Sequence, residues 1–327
     1  MTPSDAPTAT LLLADQLAHA LRGDGSSLEQ LRSAEPVDRR DRFLTLLRIY
    51  DLHTAPIQDL GETVRHQHAP AVIELKGRLE APWLTELEAA WEAAGDLAGC
   101  RTAEEVVQAM RAVAARDRLP AAYKWLAKTA TWEQVVDFLA LEGGPDGGFD
   151  DLIAVCQVGL TGTAKLELSK NFWDEMGQGD LAGVHTSLHA DLVLAIDMPH
   201  VPREQLPVPA LERIALNGLM ATNRWLQPEM IGALGLLELQ AGPRCRLVLQ
   251  AFDRLGAPEG AYPFYLEHAE VDPGHGKDWM DKAIEPLAVQ RPEWGPRMVR
   301  GAFWRSTTNL AFFAAIQENL LGESAAA

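Results

Sequence analysis

His268, Asp272 and His275 stand in the run Tyr265-Leu266-Glu267-His268-Ala269-Glu270-Val271-Asp272-Pro273-Gly274-His275. On a helix turning about 100° per residue, positions i, i+4 and i+7 fall within roughly 60° of one another, so this spacing predicts two imidazoles and a carboxylate on one face. Such a stripe suits iron or manganese. Polar surface residues of an acidic helical protein produce the same pattern, so the triplet alone leaves both readings open. A second segment, Asn171-Phe172-Trp173-Asp174-Glu175-Met176-Gly177-Gln178-Gly179, is followed by His185. It supplies a carboxylate, Glu175, and an imidazole ten residues apart, with glycines between them that can adjust the register. Glu238 lies in Gly232-Ala233-Leu234-Gly235-Leu236-Leu237-Glu238-Leu239, a carboxylate among apolar neighbours. Burying that charge without a partner is costly. A cation in a bundle core resolves the cost, and facing helices that contribute carboxylates and histidines are the usual construction of dinuclear sites in bundles.

The elements that must position these groups read as helices. Segments such as TELEAAWEAAGDLAG, AEEVVQAMRAVAARDR and WEQVVDFLALEG place apolar residues at three- and four-residue intervals, and period-two runs of β-branched residues are nearly absent. Breaks are expected at 143–148, at 198–209 and at 291–296, where Gly and Pro cluster and divide the second half into helical hairpins. No internal repeat is evident, and the Ala-rich ends, 1–9 and 323–327, read as tails. The first 130 residues contain His53, His66 and His68 without a converging pattern, which predicts a packing role. In a helix the rings of His66 and His68 would point about 200° apart, so a surface reading is preferred for this pair.

Composition removes several classes of function. Against 46 Asp+Glu there are 29 Lys+Arg, a net charge of −17, which argues against nucleic acid or an anionic membrane as partner, because either requires Lys and Arg to neutralise phosphate. Cys100, Cys156 and Cys245 are odd in number and far apart, so neither a disulfide framework nor a cysteine zinc site is suggested. The N-terminus lacks the basic region and cleavage pattern of a signal peptide, and no apolar run approaches the roughly 18 residues of a membrane span. A cytoplasmic protein acting on a small molecule is expected.

In the order and spacing of these motifs the sequence resembles the haem-oxygenase-like diiron oxidases and oxygenases, also described as iron-containing redox enzymes. The resemblance rests on N-x-x-D-E-x-G-x-G at 171–179 with His185, on Glu238, and on H-x3-D-x2-H at 268–275, and it covers about residues 135–320. It implies an all-α, haem-oxygenase-like helical bundle at 131–322, preceded by an accessory helical region at 1–130. It also implies two Fe(II) ions held by Glu175, His185, Glu238, His268, Asp272 and His275, O2 as co-substrate, and an external electron donor or reductase. A homodimer is a further expectation.

Pro273 and Gly274 interrupt the third ligand segment, which predicts a helix that is bent or poorly ordered without metal. His189, one turn after His185, is a competing donor, though the family pattern favours His185. Family members oxygenate amine nitrogens, or cleave or desaturate carbon skeletons of amino and fatty acids. The nitrogen-oxygenating ones carry an additional carboxylate ligand before the first core helix, for which Glu142, Asp151 and Glu167 are available. Trp173, Trp225, Trp279, Tyr262, Tyr265 and Trp304 suit a compact substrate better than a fatty-acid tunnel, although core packing explains any one of them. Arg305 and Asn309, spaced i, i+4, could clamp a substrate carboxylate or support a ligand. The preferred expectation is N-oxygenation of an amine, amidine or amino-heterocycle. The alternatives are oxidative C–C cleavage, decarboxylation or desaturation, and a non-enzymatic metal-binding helical protein.

Overall fold

The computed structural model describes residues 11–23, 26–143 and 148–321, without the side chains of residues 26, 96, 98, 272, 273, 319 and 321. The Ala-rich ends and most of the 143–148 break therefore lie outside the described residues. Among those described there is no β-strand, only an isolated bridge between Met176 and Val184. The expectation of an all-α chain holds. The contacts divide it into two compact units, Met1–Glu86 and Leu87–Ala327.

The first unit holds α1 (Leu13–Arg22), α2 (Arg39–Thr54), α3 (Ile57–Leu60) and most of α4 (Pro70–Glu92). Asp41, in the first turn of α2, accepts hydrogen bonds from the backbone N–H groups of Leu13 and Ala14, both at 2.9 Å, and so supplies the partners that the N-terminus of α1 cannot find within itself. Phe43 and Trp83 meet edge to face at 5.0 Å in its core. His66 and His68 lie on a 3₁₀ segment, Gly61–His68, and the His68 ring sits 5.7 Å from that of His53.

The second unit continues with α5 (Ala103–Arg116), α6 (Ala121–Lys128), α7 (Trp132–Glu142), α8 (Phe149–Cys156), α9 (Gly162–Glu175), α10 (His185–Ala195), α11 (Val208–Thr222), α12 (Gln227–Leu255), α13 (Tyr262–Asp278), α14 (Glu285–Gln290) and α15 (Gly295–Leu321). Thr102 with Glu105, and Thr131 with Gln134, form reciprocal capping boxes that start α5 and α7. The axis of the bundle is α12, whose residues from Gln227 to Leu236 are all buried. A helix buried on every side is a core helix, and α13 and α15 pack along it.

The breaks expected at 198–209 and 291–296 fall between helices except for their last two residues, which begin α11 and α15. At Pro273-Gly274, where a bent or poorly ordered helix is expected without metal, α13 is continuous through both residues to Asp278, and the pitch changes afterwards, in a π-turn over Trp279–Ile284. The reason is a replaced hydrogen bond. Pro273 has no N–H to give the carbonyl of Ala269 four residues earlier, and Arg246 Nη1, from α12, donates to that oxygen at 2.8 Å instead. No helix among the described residues is long and apolar enough to cross a membrane. The three cysteines are free and buried.

Candidate metal centre

Glu175 ends α9 and His185 begins α10, and the loop between them turns the chain back on itself. Gly177 has φ +57°, and a Cβ there would lie 2.4 Å from the Gly183 carbonyl carbon, so only glycine allows the two arms to close into the Met176–Val184 bridge. The result places His185 Nδ1 2.7 Å from Glu175 Oε2, with both residues buried. The two atoms are close but lack the alignment of a geometric hydrogen bond. Burial lowers the basicity of His185, but the neighbouring Glu175 outweighs it and the net shift is upward.

Glu238 enters from α12 and His268 and His275 from α13. These helices approach closely where Gly276 faces Glu238: a Cβ on Gly276 would lie 2.8 Å from the Glu238 carbonyl oxygen. His275 Nδ1 thereby comes within 3.6 Å of Glu238 Oε2, a buried oxygen that has no hydrogen-bond partner. The other oxygen, Oε1, accepts from Asn171 Nδ2 at 2.9 Å. Burial, then the charge of Glu175, push the Glu238 carboxyl well above the ordinary carboxylate range. His275 Nε2 donates to Asp174 Oδ2 at 3.0 Å, and His268 Nδ1 donates to the Phe264 carbonyl at 2.7 Å. Those bonds turn His268 Nε2 and His275 Nδ1 toward the other donors. The His268 ring lies 4.6 Å from that of His185, and burial, then His185, lower its pKa to about 4. A neutral imidazole is the form that ligates a metal.

Glu175, His185, Glu238, His268 and His275 are thus neighbours, drawn from four helices. The side chain of Asp272 lies outside the described residues. Among the described residues no three donors are drawn in tightly enough to hold an ion as they stand. Their chemistry nevertheless fits iron: carboxylate oxygens and imidazole nitrogens, unaligned or unpartnered, in a buried site whose acid is costly to ionise without a cation.

A cavity of about 290 Å³ opens on Glu175, His185, Glu238 and His268. The other residues singled out from the sequence fall variously. His189 lines the cavity but packs its ring on Phe264 at 5.2 Å. Asp151 is exposed, and Glu167 is buried against Lys282, with 3.7 Å between Oε2 and Nζ. Glu142 lines the cavity in the grip of Arg213. Asp150, which sequence reasoning passed over in favour of its neighbour, is the acid of α8 that lines the cavity: burial raises its pKa, and Asp151 and Glu175 add to the shift. The only signal that could have found it is its phase on α8, which is undefined until the start of that helix is known.

Of the six aromatic residues, Tyr265 alone lines the cavity. Trp173 and Trp225 are exposed, while Trp279 and Trp304 are core residues whose indole N–H groups reach the carbonyls of Ile231 and Leu87. The aromatic wall is completed by Tyr123, Phe149 and Phe264. Arg305 and Asn309 do not reach the cavity; Asn309 Oδ1 accepts from Arg213 Nε at 3.1 Å and Arg305 Nη1 donates to the Arg213 carbonyl at 3.2 Å, so both act through Arg213.

Against known proteins, the family model described as "Iron-containing redox enzyme" matches residues 136–309. No curated protein matches the sequence.

Proposed function

The chain belongs to the iron-containing redox enzyme family and is an iron-dependent oxidoreductase built on an all-α, haem-oxygenase-like bundle; from that premise we propose that it is a non-haem diiron oxygenase that places oxygen from O2 on a nitrogen of a small amine, amidine or amino-heterocycle. The observation that carries this reading is the 2.7 Å approach of Glu175 to His185 without hydrogen-bond alignment, beside a buried Glu238 oxygen that has no hydrogen-bond partner. Glu175, His185, Glu238, His268, Asp272 and His275 are the proposed ligands of two iron ions. Bound iron would supply O2 reduction, drawing electrons from an external donor.

The chain's own residues supply the rest. Asn171 and Asp174 hold Glu238 and His275 in place from the same helix that ends in Glu175. Asp150 is the proposed additional carboxylate, since it stands just before the first ligand helix and faces Glu175, which is the feature that favours nitrogen oxygenation within the family. The cavity's volume and its wall of Tyr123, Phe149, Phe264 and Tyr265 suit a compact substrate rather than an extended acyl chain.

The test is a turnover experiment with isotopically labelled O2. Protein reconstituted anaerobically with Fe(II) is exposed to it in the presence of amines, amidines and amino-heterocycles. The expected product carries label on nitrogen, and iron analysis gives two ions per chain. A product that has lost carbon, or gained a double bond without label, would move the assignment to cleavage or desaturation. Absence of substrate-dependent O2 uptake in protein holding its iron would leave a metal-binding protein.

A further inference from the structure

The cavity contains a second set of polar groups that the metal centre does not use. Glu142, the last residue of α7, lines it; Arg213 Nη1 donates to its backbone carbonyl at 3.0 Å and Nη2 to its Oε1 at 3.3 Å, while no described residue hydrogen-bonds Oε2. Tyr123 and Tyr265 line the same space, 4% and 6% exposed, and neither hydroxyl has a hydrogen-bond partner among the described residues. A buried tyrosine hydroxyl ordinarily finds one. Burial first, and the Glu142 carboxylate second, hold both phenols well above their ordinary value, so the hydroxyls stay protonated.

These groups occupy their own part of the cavity. Glu142 acts on Tyr123, Tyr265, His189 and Arg213, whereas Glu175 acts on Asp150, His185, Glu238 and His268, and the two sets share no member. Arg213 and Arg244 line the same cavity, but each guanidinium is already paired with a carboxylate. Arg213 holds Glu142 and Asn309, and Arg244 donates to Gln240 at 2.8 Å and to Asp117, a buried counter-charge at 3.2 Å. Beside these paired guanidinium groups, Glu142 Oε2 and the two hydroxyls are lining groups with no hydrogen-bond partner among the described residues, an acceptor oxygen of a carboxylate flanked by two phenols.

We propose that Glu142, with the hydroxyls of Tyr123 and Tyr265, anchors a cationic nitrogen group of the substrate, an amidinium, guanidinium or ammonium, while a separate nitrogen of the same molecule is presented to the Glu175–His268 half of the cavity. This rests on the nitrogen-oxygenation reading above and narrows its substrate class to small compounds with a cationic end. A carboxylate is matched by N–H donors that carry positive charge, and the hydroxyls accept the N–H groups left over. The net charge of −17 also favours the approach of a cation.

The experiment is equilibrium binding to the full-length chain, loaded with Fe(II) and kept anaerobic so that nothing turns over. The probes are benzamidine, protonated at neutral pH, its neutral isostere benzamide, and the anion benzoate. The wild-type chain is expected to bind benzamidinium about tenfold or more tighter than either of the others, the discrimination expected from a charge-assisted hydrogen bond. Glu142→Gln, which keeps an acceptor for Arg213, should erase that preference. The double variant Tyr123→Phe, Tyr265→Phe leaves the Glu142–Arg213 pair intact and should weaken benzamidinium about tenfold; it carries the test if Glu142→Gln does not fold. Equal binding of benzamidinium and benzamide, tighter binding of benzoate, or a preference that survives both variants would overturn the anchor. Binding is read without O2, so a Glu142-dependent preference with no labelled oxygen on nitrogen in any product overturns the reaction alone. N-oxygenation of a neutral compound, unchanged by Glu142→Gln, overturns the anchor alone.

Discussion

Asp174 accepts a hydrogen bond from His275 Nε2 across 3.0 Å, although 101 residues separate the two. One segment of α9 thus touches three other helices of the site: Asn171 holds Glu238 of α12, Asp174 holds His275 of α13, and Glu175 meets His185 of α10. Its acidic pair divides into Glu175, a proposed metal ligand, and Asp174, which fixes the ring of another, His275.

That division predicts that Asp174→Ala keeps its helical circular dichroism while losing iron affinity. Carboxylate support of a metal-bound histidine is typically worth about 10- to 100-fold in affinity. Anaerobic Fe(II) titration reads the effect, and an unchanged binding curve would remove Asp174 from the site.

Gly274 and Gly276 are two residues apart on one helix and should respond oppositely to alanine. A Cβ on Gly274 meets nothing within 4 Å, so Gly274→Ala should stabilise the protein by about 0.5–1 kcal/mol through helix propensity. A Cβ on Gly276 would lie 2.8 Å from the Glu238 carbonyl oxygen, so Gly276→Ala forces α12 and α13 apart, at a cost of about 1–3 kcal/mol. Urea unfolding of the two variants gives both signs directly; a neutral Gly276→Ala would mean that the helices approach less closely than described.

Arg246 and Pro273 should couple. Arg246→Ala leaves the Ala269 carbonyl without the donor that Pro273 lacks, and the expected loss is about 1 kcal/mol, with faster amide exchange in α13. Introducing Pro273→Ala into that variant restores a backbone N–H and should recover most of the loss. The double-mutant cycle is the measurement; strict additivity would show that the Arg246 bond does not stand in for the missing one.

Glu238→Gln should raise the melting temperature of the metal-free protein and lower its iron content. The amide keeps the acceptor for Asn171 while removing a carboxylate oxygen that is buried without a partner, a relief of about 1–3 kcal/mol. Stabilisation bought by removing a ligand marks a position kept for function rather than for folding. A destabilised metal-free variant would contradict it.

The sequence by itself determined the helical class and the donor types. Apolar residues at three- and four-residue intervals have one periodic solution, and an acid inside Gly232–Leu239 is a cost that is legible before any fold is known. It also pointed to two segments, 268–275 with His268, Asp272 and His275, and 171–185 with Glu175 and His185, although it gave Asn171 and Asp174 no role. What they touch is a different matter. Hydrogen bonds from Asn171 to Glu238 and from His275 to Asp174 span 67 and 101 residues, and no helical period carries information across such distances. The same limit holds at Pro273, whose missing N–H is replaced by a donor from α12 that the local sequence does not announce. Asp150 and Asp151 are interchangeable until α8 is docked and one carboxylate turns to the cavity while the other turns to solvent. Local propensity is set by neighbours in the chain; which lone pairs are left facing one another is set by packing, and only the tertiary structure decides it.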